Sequence, residues 1–481
     1  MASVLGVTTY DYSNTTRQGD VAVARYAGGT TGSVIETATG VVTSYTSGSS
    51  PVPLPGDTKA FQFSYDGDDY VLIAATSWNS GSAVCTYLIF NGTVPETIPS
   101  GYNWGSPVYG PASWAVGTVS LNNLYKIQVT TISSVFYMFG IDYDGQTAFR
   151  LSTSTGLANL TMDTASGHHF TFSTPTTGAT EAHGVDLVLG TDKIFTLWIS
   201  GENLTAGDST TSYLNSTVVA TDMDFGNPSH VGPMGNDSGG SGTLPGKNAF
   251  SIQPYSYTSG STTYKFLLLT AVGGAQHHDG SWNPDSCIQK VDVDTLEVDD
   301  LLYADTSGGI HTDDQYDFRA LAFASTGRPA NDEAFVLTGK YDSTWTMNWR
   351  LYHMKVGTLL NAGGVVLSSL TGATFIQNSS TISGYLWALL YSSSYNKIWF
   401  SQGNQLAIYG TSGQVGNVAS ITSLSSLGST ASLNAVTIYN PEEALEARPL
   451  RGYVAPAFAS NAASALIERR RILEEMKKTK K

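Results

Sequence analysis

Pairs of aspartates separated by one residue are the first feature of this sequence that could do chemistry. The four pairs are Asp66 with Asp68, Asp142 with Asp144, Asp222 with Asp224, and Asp292 with Asp294. Carboxylate oxygens suit calcium, but a calcium site needs about six or more oxygens, and no pair extends into a complete calcium-binding loop. Asp and Gly are also the residues that hairpin turns require. We therefore favour turns, and retain Asp66, Asp68, Asp142 and Asp144 as candidate metal ligands.

Histidines and aspartates lie close together at two places in the sequence, Gln276-His277-His278-Asp279 and His311-Thr312-Asp313-Asp314. Because histidine titrates near neutral pH and aspartate can orient it, the two segments could form a metal or acid–base site if they met. Nothing in the sequence requires them to meet, and His168-His169 fits a polar loop. No catalytic or nucleotide-binding motif is present. The sequence therefore predicts a protein that is not an enzyme and uses no cofactor.

A carbohydrate-binding or glycan-cleaving protein is the alternative function. Sialidase-like enzymes carry Ser-x-Asp-x-Gly-x-Thr-Trp boxes and three arginines that grip a carboxylate, whereas this sequence has no such box. Glycosidases that use two carboxylates need only a pair at a fixed separation, which a sequence does not reveal. Aromatic residues in predicted loops could stack on sugar rings or on a protein partner. These residues are Tyr102, Trp104, Trp114, Trp282 and Trp345.

The composition predicts that strands and tight turns position these groups. The chain has 481 residues, of which 41% are hydrophobic and only 13% charged, and it contains 50 glycines. Val, Thr and Tyr fit a pleated sheet, while Gly adopts the positive φ angles of tight turns. The hydrophobic fraction is sufficient for a packed core. We therefore predict an all-β protein.

A repeated hairpin unit indicates which all-β fold is present. Six units are marked by Tyr70, Tyr125, Val185, Tyr264, Glu333 and Gly384. Blades of β-propellers commonly span about 40–50 residues, and long loops would stretch the unit further. A hairpin near Asp20 and a strand near Ser432 would pair to close the ring. We predict a β-propeller of six or seven blades with a C-terminal linker and a short α-helix; a β-sandwich or jelly roll remains the alternative fold.

The chain divides into three predicted regions. Residues 1–60 form N-terminal strands that complete a blade, 61–440 form the propeller, and 441–481 form a linker and a basic helix. The helix begins near Ser460 or Asn461 and carries one narrow apolar stripe. A helix of this kind needs a surface to dock on. Its predicted partner-binding residues are Leu466, Arg469, Arg470, Arg471, Leu473, Met476 and Lys477.

Charge limits the partners of the chain. The formal net charge is −15, and the segment from Glu468 to the end carries +4, which leaves −19 for the rest. An acidic body repels nucleic acid and anionic membranes. Cys85 and Cys287 lie far apart without metal-ligand companions, and no segment is typical of a signal peptide or a membrane span. The sequence therefore predicts a protein made in the cytoplasm, with no nucleic-acid partner and no membrane insertion.

The hairpin units, the Gly/Ser/Thr-rich surface and the basic C-terminal tail together resemble virion proteins of tailed bacteriophages, of the tail-nozzle or tail-tip type. The resemblance rests on general character along the chain and on no specific motif. It implies a structural component of a virus particle, in which the tail anchors neighbouring copies of the chain into a ring. Other virion proteins and a host surface glycan or receptor are the further partners that it implies.

Overall fold

A computed structural model describes most of the chain as far as residue 439. The described residues are 4–10, 19–26, 34–55, 57–79, 82–92, 95, 97–163, 167–202, 204, 212–240, 242–273, 286–304, 316–324, 327–341, 346–383, 389–392, 397–402, 405–410, 418–420 and 432–439. The predicted linker and basic helix, with all seven candidate partner-binding residues, lie outside them.

The first part of the described chain forms two sheets and two small hairpins. The strands are β1 (Val4–Tyr10), β2 (Gly19–Tyr26), β3 (Val34–Val42), β4 (Ser44–Ser47), β5 (Ser50–Pro53), β6 (Asp57–Tyr65), β7 (Asp68–Asn79), β8 (Ser82–Asn91), β9 (Tyr109–Ala112), β10 (Trp114–Val116) and β11 (Val119–Leu121). Strands β1–β3 belong to one sheet and β6–β9 to the next, while β4 pairs with β5 and β10 with β11.

The middle of the chain forms three further antiparallel sheets in sequence order. Their strands are β12 (Leu124–Ile132), β13 (Val135–Asp142), β14 (Thr147–Thr153), β15 (Thr161–Met162), β16 (His169–Thr171), β17 (Glu181–Leu189), β18 (Lys193–Glu202), β19 (Ser212–Tyr213), β20 (Thr217–Asp222), β21 (Ser229–Val231), β22 (Ala249–Ser259), β23 (Thr262–Ala271), β24 (Cys287–Asp292) and β25 (Val298–Tyr303). The sheets contain β12–β16, β17–β21 and β22–β25.

The last part forms two more sheets and the returning strand. Its elements are β26 (Asp317–Ala324), β27 (Glu333–Tyr341), β28 (Thr346–Lys355), the helix α1 (Val356–Leu360), β29 (Val365–Val366), β30 (Thr374–Ser383), β31 (Leu389–Ser392), β32 (Lys397–Gln402), β33 (Gln405–Gly410), β34 (Val418–Ser420) and β35 (Ser432–Tyr439). Strand β29 joins the preceding sheet through a parallel pairing with β25. Short 3-10 helices occur at Leu157–Asn159 and Leu367–Ser369.

One sheet contains both ends of the described chain. Strand β1 pairs with β2 on one side and with β35 on the other, and Val7 lies opposite both Ala22 and Val436. The sequence predicts such a pairing between the two ends. No free edge is left at β1, because both of its sides carry hydrogen-bonded neighbours.

The sheets follow one another in a cycle. The strand at one edge of each sheet contacts its counterpart in the next; we call these the lead strands, and they are β35, β6, β12, β17, β22, β26 and β31. The cycle closes where β32 contacts β35. The chain is therefore nearly all-β and propeller-like, as the sequence predicts. The sequence markers fall on different strands, since Tyr125 lies in a lead strand whereas Tyr264 lies in a second strand.

The hydrophobic core lies between successive sheets. Strand β18 shows why, because its Leu197 packs toward the sheet of β22 whereas its Trp198 packs toward the sheet of β12. Successive side chains of a strand point to opposite faces, so a sheet covered on both faces is apolar at nearly every position. This explains the continuous apolar runs that mark the repeats. It also corrects one expectation, because Trp114 is a buried core residue rather than an exposed loop residue.

Candidate functional site

The ends of three lead strands and one adjacent turn bring together a set of polar and aromatic side chains. We call this set the His183 cluster. It comprises Lys59 of β6, Asn123 and Tyr125 at the start of β12, Tyr143 and Asp144 of the turn after β13, and Glu181 and His183 of β17. Two of the sequence candidates are involved, since Asp144 belongs to the cluster and Asp142 holds its turn in place.

The turn after β13 is built on Asp142. This buried carboxylate accepts the backbone N–H of Gly145 through Oδ1 and that of Asn123 through Oδ2, the latter at 2.8 Å. A Cβ atom at position 145 would lie 2.7 Å from Asp142 Oδ1, so the turn requires glycine there. Burial raises the pKa of Asp142, against the opposing effect of these backbone hydrogen bonds. Asp142 therefore positions the neighbouring cluster residues.

A column of stacked rings forms the rigid part of the cluster. The ring of Tyr125 lies 4.9 Å from that of Tyr143, which in turn stacks on the His183 imidazole at 4.0 Å with planes 5° apart. The ammonium of Lys59 lies 5.0 Å from the centroid of the Tyr125 ring. Cation–π attraction and aromatic stacking each favour such an arrangement. The column therefore fixes the orientation of His183.

Asn123 links the Lys59 ammonium to the Asp144 carboxylate. Its Oδ1 accepts a hydrogen bond from Lys59 Nζ, and its Nδ2 donates to Asp144 Oδ2 at 2.9 Å. An amide oxygen only accepts and an amide nitrogen only donates, so these two partners determine which way the Asn123 side chain points. Asp144 is thereby held beside the imidazole of His183.

His183 lies between two carboxylates. Its Nδ1 is 3.2 Å from the backbone oxygen of Tyr143 and 3.6 Å from Asp144 Oδ1, while its Nε2 is 3.9 Å from Glu181 Oε2. The same Glu181 oxygen accepts the backbone N–H of Leu204 at 3.0 Å. Burial lowers the pKa of His183, although Asp144, the Tyr143 carbonyl and Glu181 act to raise it. The imidazole is therefore neutral at pH 7.

The two carboxylates of the cluster are accessible. The side chains of Asp144 and Glu181 are 33% and 43% exposed, whereas that of His183 is 13% exposed. Solvent therefore reaches both carboxylates, whereas most of the imidazole is covered. This arrangement provides hydrogen-bond acceptors and proton-transfer groups on a rigid support, which suits the binding of hydroxyl groups and general acid–base chemistry.

The other sequence candidates lie elsewhere. Asp66 and Asp68 flank Gly67 in the tight turn between β6 and β7, at the opposite end of β6 from Lys59. Asp222 and Asp292 repeat the role of Asp142, because each accepts backbone N–H groups of the turn that follows it. Within the described ranges, no group of three His, Cys, Asp or Glu side chains is arranged to hold a metal ion.

The histidine candidates divide between the described and undescribed parts of the chain. His168 Nδ1 lies 2.6 Å from Asp163 Oδ1, and Asp163 also forms an ion pair with Arg150. The segments around His277 and His311 lie outside the described residues, as do Trp282 and Trp345. Of the remaining aromatic candidates, Tyr102 and Trp104 are half-buried against the core between the first two sheets. No helix in the described part is long and apolar enough to cross a membrane.

Several cluster residues are absent from the sequence candidates. Lys59, Asn123, Tyr125, Glu181 and His183 belong to no recognisable motif, because they come from three different sheets. One signal is present in the sequence: polar residues occupy the first positions of otherwise apolar strands, as in Glu181-Ala182-His183.

Comparison with known proteins gives likeness at the level of fold. No protein-family model and no curated protein matches the chain. Among solved structures, an exo-1,5-alpha-L-arabinanase from a bovine ruminal metagenomic library is 10% identical, with a TM-score of 0.30, over 63% of this chain and 98% of that one. An endo-arabinase from Bacteroides thetaiotaomicron is 11% identical, with a TM-score of 0.31, over 61% and 94%. Saccharomyces cerevisiae Sqt1 is 9% identical, with a TM-score of 0.37, over 83% and 82%.

These comparisons correct the leading expectation about function. The sequence predicts a non-enzymatic component of a virus particle, whereas two of the similar structures are named as arabinanases. These names overturn the virion role and the expectation that the chain is not an enzyme as the leading interpretation, and the carbohydrate alternative becomes a proposal. Likeness at this distance concerns the fold alone, so any activity has to follow from the side chains of this chain.

Proposed function

We propose that the chain is a carbohydrate-binding β-propeller that cleaves glycosidic bonds at the His183 cluster. In this proposal the sheets with four or five strands, seven among the described residues, are the blades of one closed ring. The cyclic contacts of the lead strands and the pairing of β1 with β35 support that number. The cluster then lies where three lead strands begin, at one face of the ring.

The observation that carries the proposal is the placement of Asp144 and Glu181 on opposite nitrogens of one imidazole, at 3.6 and 3.9 Å. Both carboxyl groups touch the same small ring, so they lie within about 10 Å of each other. Glycosidases place their two carboxyl groups about 5 Å apart when they retain anomeric configuration and about 6.5–9.5 Å apart when they invert it. The pair in the His183 cluster is compatible with this chemistry.

The two carboxylates, Asp144 and Glu181, differ in their hydrogen-bond partners and in their exposure. Asp144 accepts an amide N–H from Asn123, whose side-chain oxygen accepts a hydrogen bond from Lys59. Glu181 is the more exposed of the two, and its Oε2 accepts the backbone N–H of Leu204. We assign Asp144 and Glu181 together as the carboxyl pair that carries out the chemistry.

The charge of the chain favours an uncharged glycan. A net charge of −15 creates a negative potential that repels uronic or sialic acid polymers. Neutral oligosaccharides are not repelled in this way, and they present hydroxyl groups to the acceptors of the cluster. Arabinohexaose, xylohexaose and maltohexaose are suitable first probes, and arabinohexaose is included because of the names of the similar structures.

Binding and cleavage are tested together with an array of neutral and acidic oligosaccharides and an assay of reducing ends released from the three hexasaccharides. We expect the wild type to bind at least one neutral probe and to release reducing ends. Glu181→Gln and Asp144→Asn should lower the release rate by about 100-fold or more, since loss of a general acid or base costs about that much. Asp299→Asn is the matched control, because this exposed carboxylate pairs with Lys290 on a different sheet. Binding without release would leave a glycan-binding protein; neither binding nor release would refute the proposal.

A further inference from the structure

The tautomer of His183 follows from its contacts. Its Nδ1 lies 3.2 Å from the backbone oxygen of Tyr143, and the stacking of the two rings keeps it there. A carbonyl oxygen can only accept a hydrogen bond, so Nδ1 must carry the proton. Asp144 Oδ1, at 3.6 Å from the same nitrogen, also favours a proton at that position. In the neutral imidazole, Nε2 is therefore the unprotonated nitrogen.

Two hydrogen-bond acceptors consequently face each other at the edge of the cluster. Nε2 of neutral His183 lies 3.9 Å from Glu181 Oε2, and an unprotonated imidazole nitrogen and a carboxylate oxygen both only accept hydrogen bonds. The Leu204 N–H holds the carboxylate oxygen from the other side. Hydroxyl donors bond to acceptors at about 2.5–3.0 Å, so two neighbouring hydroxyl groups could each satisfy one of these acceptors.

We propose that His183 Nε2 and Glu181 Oε2 form a two-acceptor clamp that binds adjacent hydroxyl groups of a neutral saccharide, and that protonation of His183 closes the clamp. Once Nε2 carries a proton it donates to Glu181, and the two groups satisfy each other instead of the ligand. This inference rests on the proposed function, because it specifies how the same cluster recognises its ligand.

The surroundings of His183 determine the pH at which the clamp closes. Glu181 on its own strand and Asp144 on the turn after β13 attract the proton. Tyr143 covers one face of the imidazole, Tyr125 and Tyr213 lie next to Tyr143, and Lys59 lies beyond Tyr125. Burial is the largest effect and lowers the pKa of His183 below its usual range near 6.5. The clamp is therefore open at neutral pH and closes only below the usual histidine range.

Two measurements test the clamp separately from the glycan assignment. The first is ¹⁵N NMR of histidine-labelled full-length protein without ligand, with His183→Gln used to assign the signal. We expect an Nδ1-protonated, Nε2-unprotonated ring at pH 7.5 and a doubly protonated ring at low pH. An Nε2-protonated neutral ring would overturn the clamp whether or not any saccharide binds.

The second measurement is calorimetric titration with arabinohexaose, xylohexaose and maltohexaose between pH 5 and pH 8. We expect the affinity of the wild type to fall at least tenfold as His183 gains its proton. His183→Gln should bind more weakly and without this pH dependence, and Glu181→Gln should bind weakly at every pH because its amide can donate to Nε2.

His230→Gln is the matched control for the titration. His230 is similarly half-buried, with Nδ1 3.0 Å from the backbone oxygen of Gly232 and Nε2 3.5 Å from Asp237, but it lies outside the His183 cluster. Its replacement should leave the pH dependence unchanged.

A pH dependence that persists in His183→Gln would overturn the clamp. If no saccharide binds while the NMR result is as expected, the tautomer of His183 stands but both the clamp and the glycan assignment are overturned.

Discussion

The imidazole of His183 lies flat on the phenol ring of Tyr143, with centroids 4.0 Å apart and planes 5° apart. The backbone oxygen of the same tyrosine accepts the hydrogen bond from the imidazole Nδ1 at 3.2 Å. One residue therefore fixes the plane of the ring through its side chain and the tautomer through its main chain. The predictions below follow from this geometry and from the contacts that support it.

Removing the ring of Tyr143 should leave the orientation of the His183 imidazole unfixed. We expect Tyr143→Ala to lower the free energy of unfolding by about 2–3 kcal/mol, since a half-buried aromatic and its stacking are lost. The same variant should weaken saccharide binding at least tenfold. Tyr143→Phe keeps both the ring and the backbone oxygen, so its affinity should remain within twofold of the wild type. Urea denaturation and calorimetry measure the two effects, and equal affinities of the Ala and Phe variants would contradict the role of the ring.

Gly184 allows β17 to approach the sheet that contains β13. A Cβ atom at this position would lie 2.6 Å from the Ile141 side chain and 2.9 Å from the backbone oxygen of Asp142. Gly184→Ala must therefore displace β17 next to His183, and we expect it to cost about 1–3 kcal/mol of stability and to weaken binding. Gly117 is the control, because although its φ is positive a Cβ there would meet nothing within 4 Å. Its alanine variant should keep full affinity, although the positive φ costs some stability.

Asp186 ties three lead strands together. Its buried carboxylate accepts the N–H of Leu187 at 2.8 Å in β17 and that of Ile252 at 2.9 Å in β22, and it lies 3.4 Å from Lys126 of β12. Asp186→Ala leaves buried N–H groups without an acceptor, so we expect a loss of about 1–3 kcal/mol or more. Lys126→Met removes only a 43%-exposed ammonium and should cost under about 1 kcal/mol. Equal losses in the two variants would show that the ion pair matters and that the hydrogen bonds from the backbone N–H groups do not.

The ion pairs of Arg150 predict a specific acid sensitivity. Burial opposes ionisation of Asp163, but hydrogen bonds from His168 and Arg150 outweigh it and lower the pKa of this carboxyl. Asp163 therefore contributes stability above the pKa of the unfolded chain, about 3.9, and that contribution is lost as pH falls through the lower folded value. In Asp163→Asn, stability should be lower at pH 7 by about 1–3 kcal/mol and should decline less between pH 4 and pH 2.

The matched control for this variant is Asp224→Asn. Asp224 also binds Arg150, but its side chain is 67% exposed, against 19% for Asp163. Screening by water reduces the contribution of exposed pairs, so we expect Asp224→Asn to cost under about 1 kcal/mol. Denaturation curves recorded at several pH values compare the two. An acid response in Asp163→Asn identical to that of the wild type would mean that another group controls it.

The pairing that closes the cycle of sheets can be tested at β1. Val7 lies opposite Ala22 on one side and Val436 on the other, so proline at this position would remove a backbone donor from the interior of a sheet. We expect Val7→Pro to cost about 1–3 kcal/mol, whereas Val7→Thr, which retains a β-branched side chain, should be nearly neutral. Thermal unfolding distinguishes the two, and a stable proline variant would contradict the observed pairing.

The sequence predicts the fold well because the fold depends on local patterns. Apolar runs such as the one in β18 and turns such as Asp66-Gly67 carry their signal within a few residues. The spacing of the repeats is harder to read from the sequence. Tyr125 and Tyr264 have similar sequence surroundings, yet Tyr125 lies in a lead strand and Tyr264 in the second strand of its sheet. The true repeat is more even, since the lead strands that begin at Asp57, Leu124, Glu181, Ala249, Asp317 and Leu389 are 57 to 72 residues apart.

The candidate site is much less visible in the sequence. Asp142 and Asp144 attract attention as an Asp-x-Asp pair, but the first caps a turn and only the second is offered to a ligand. Their partners Lys59 and His183 are 85 and 39 residues from Asp144 in the sequence and meet it only because lead strands are neighbours in the cycle. Contacts between sheets leave no periodic signal, which is why the cluster requires a structure.

The most direct test of the proposed function is a crystal structure of the wild-type chain soaked, at saturating concentration, with the hexasaccharide that binds most tightly. We expect sugar hydroxyl groups within about 3 Å of Glu181 Oε2 and His183 Nε2, with Asp144 on the same side of the ligand. A saccharide bound only at another surface, or an empty His183 cluster at saturation, would contradict the account.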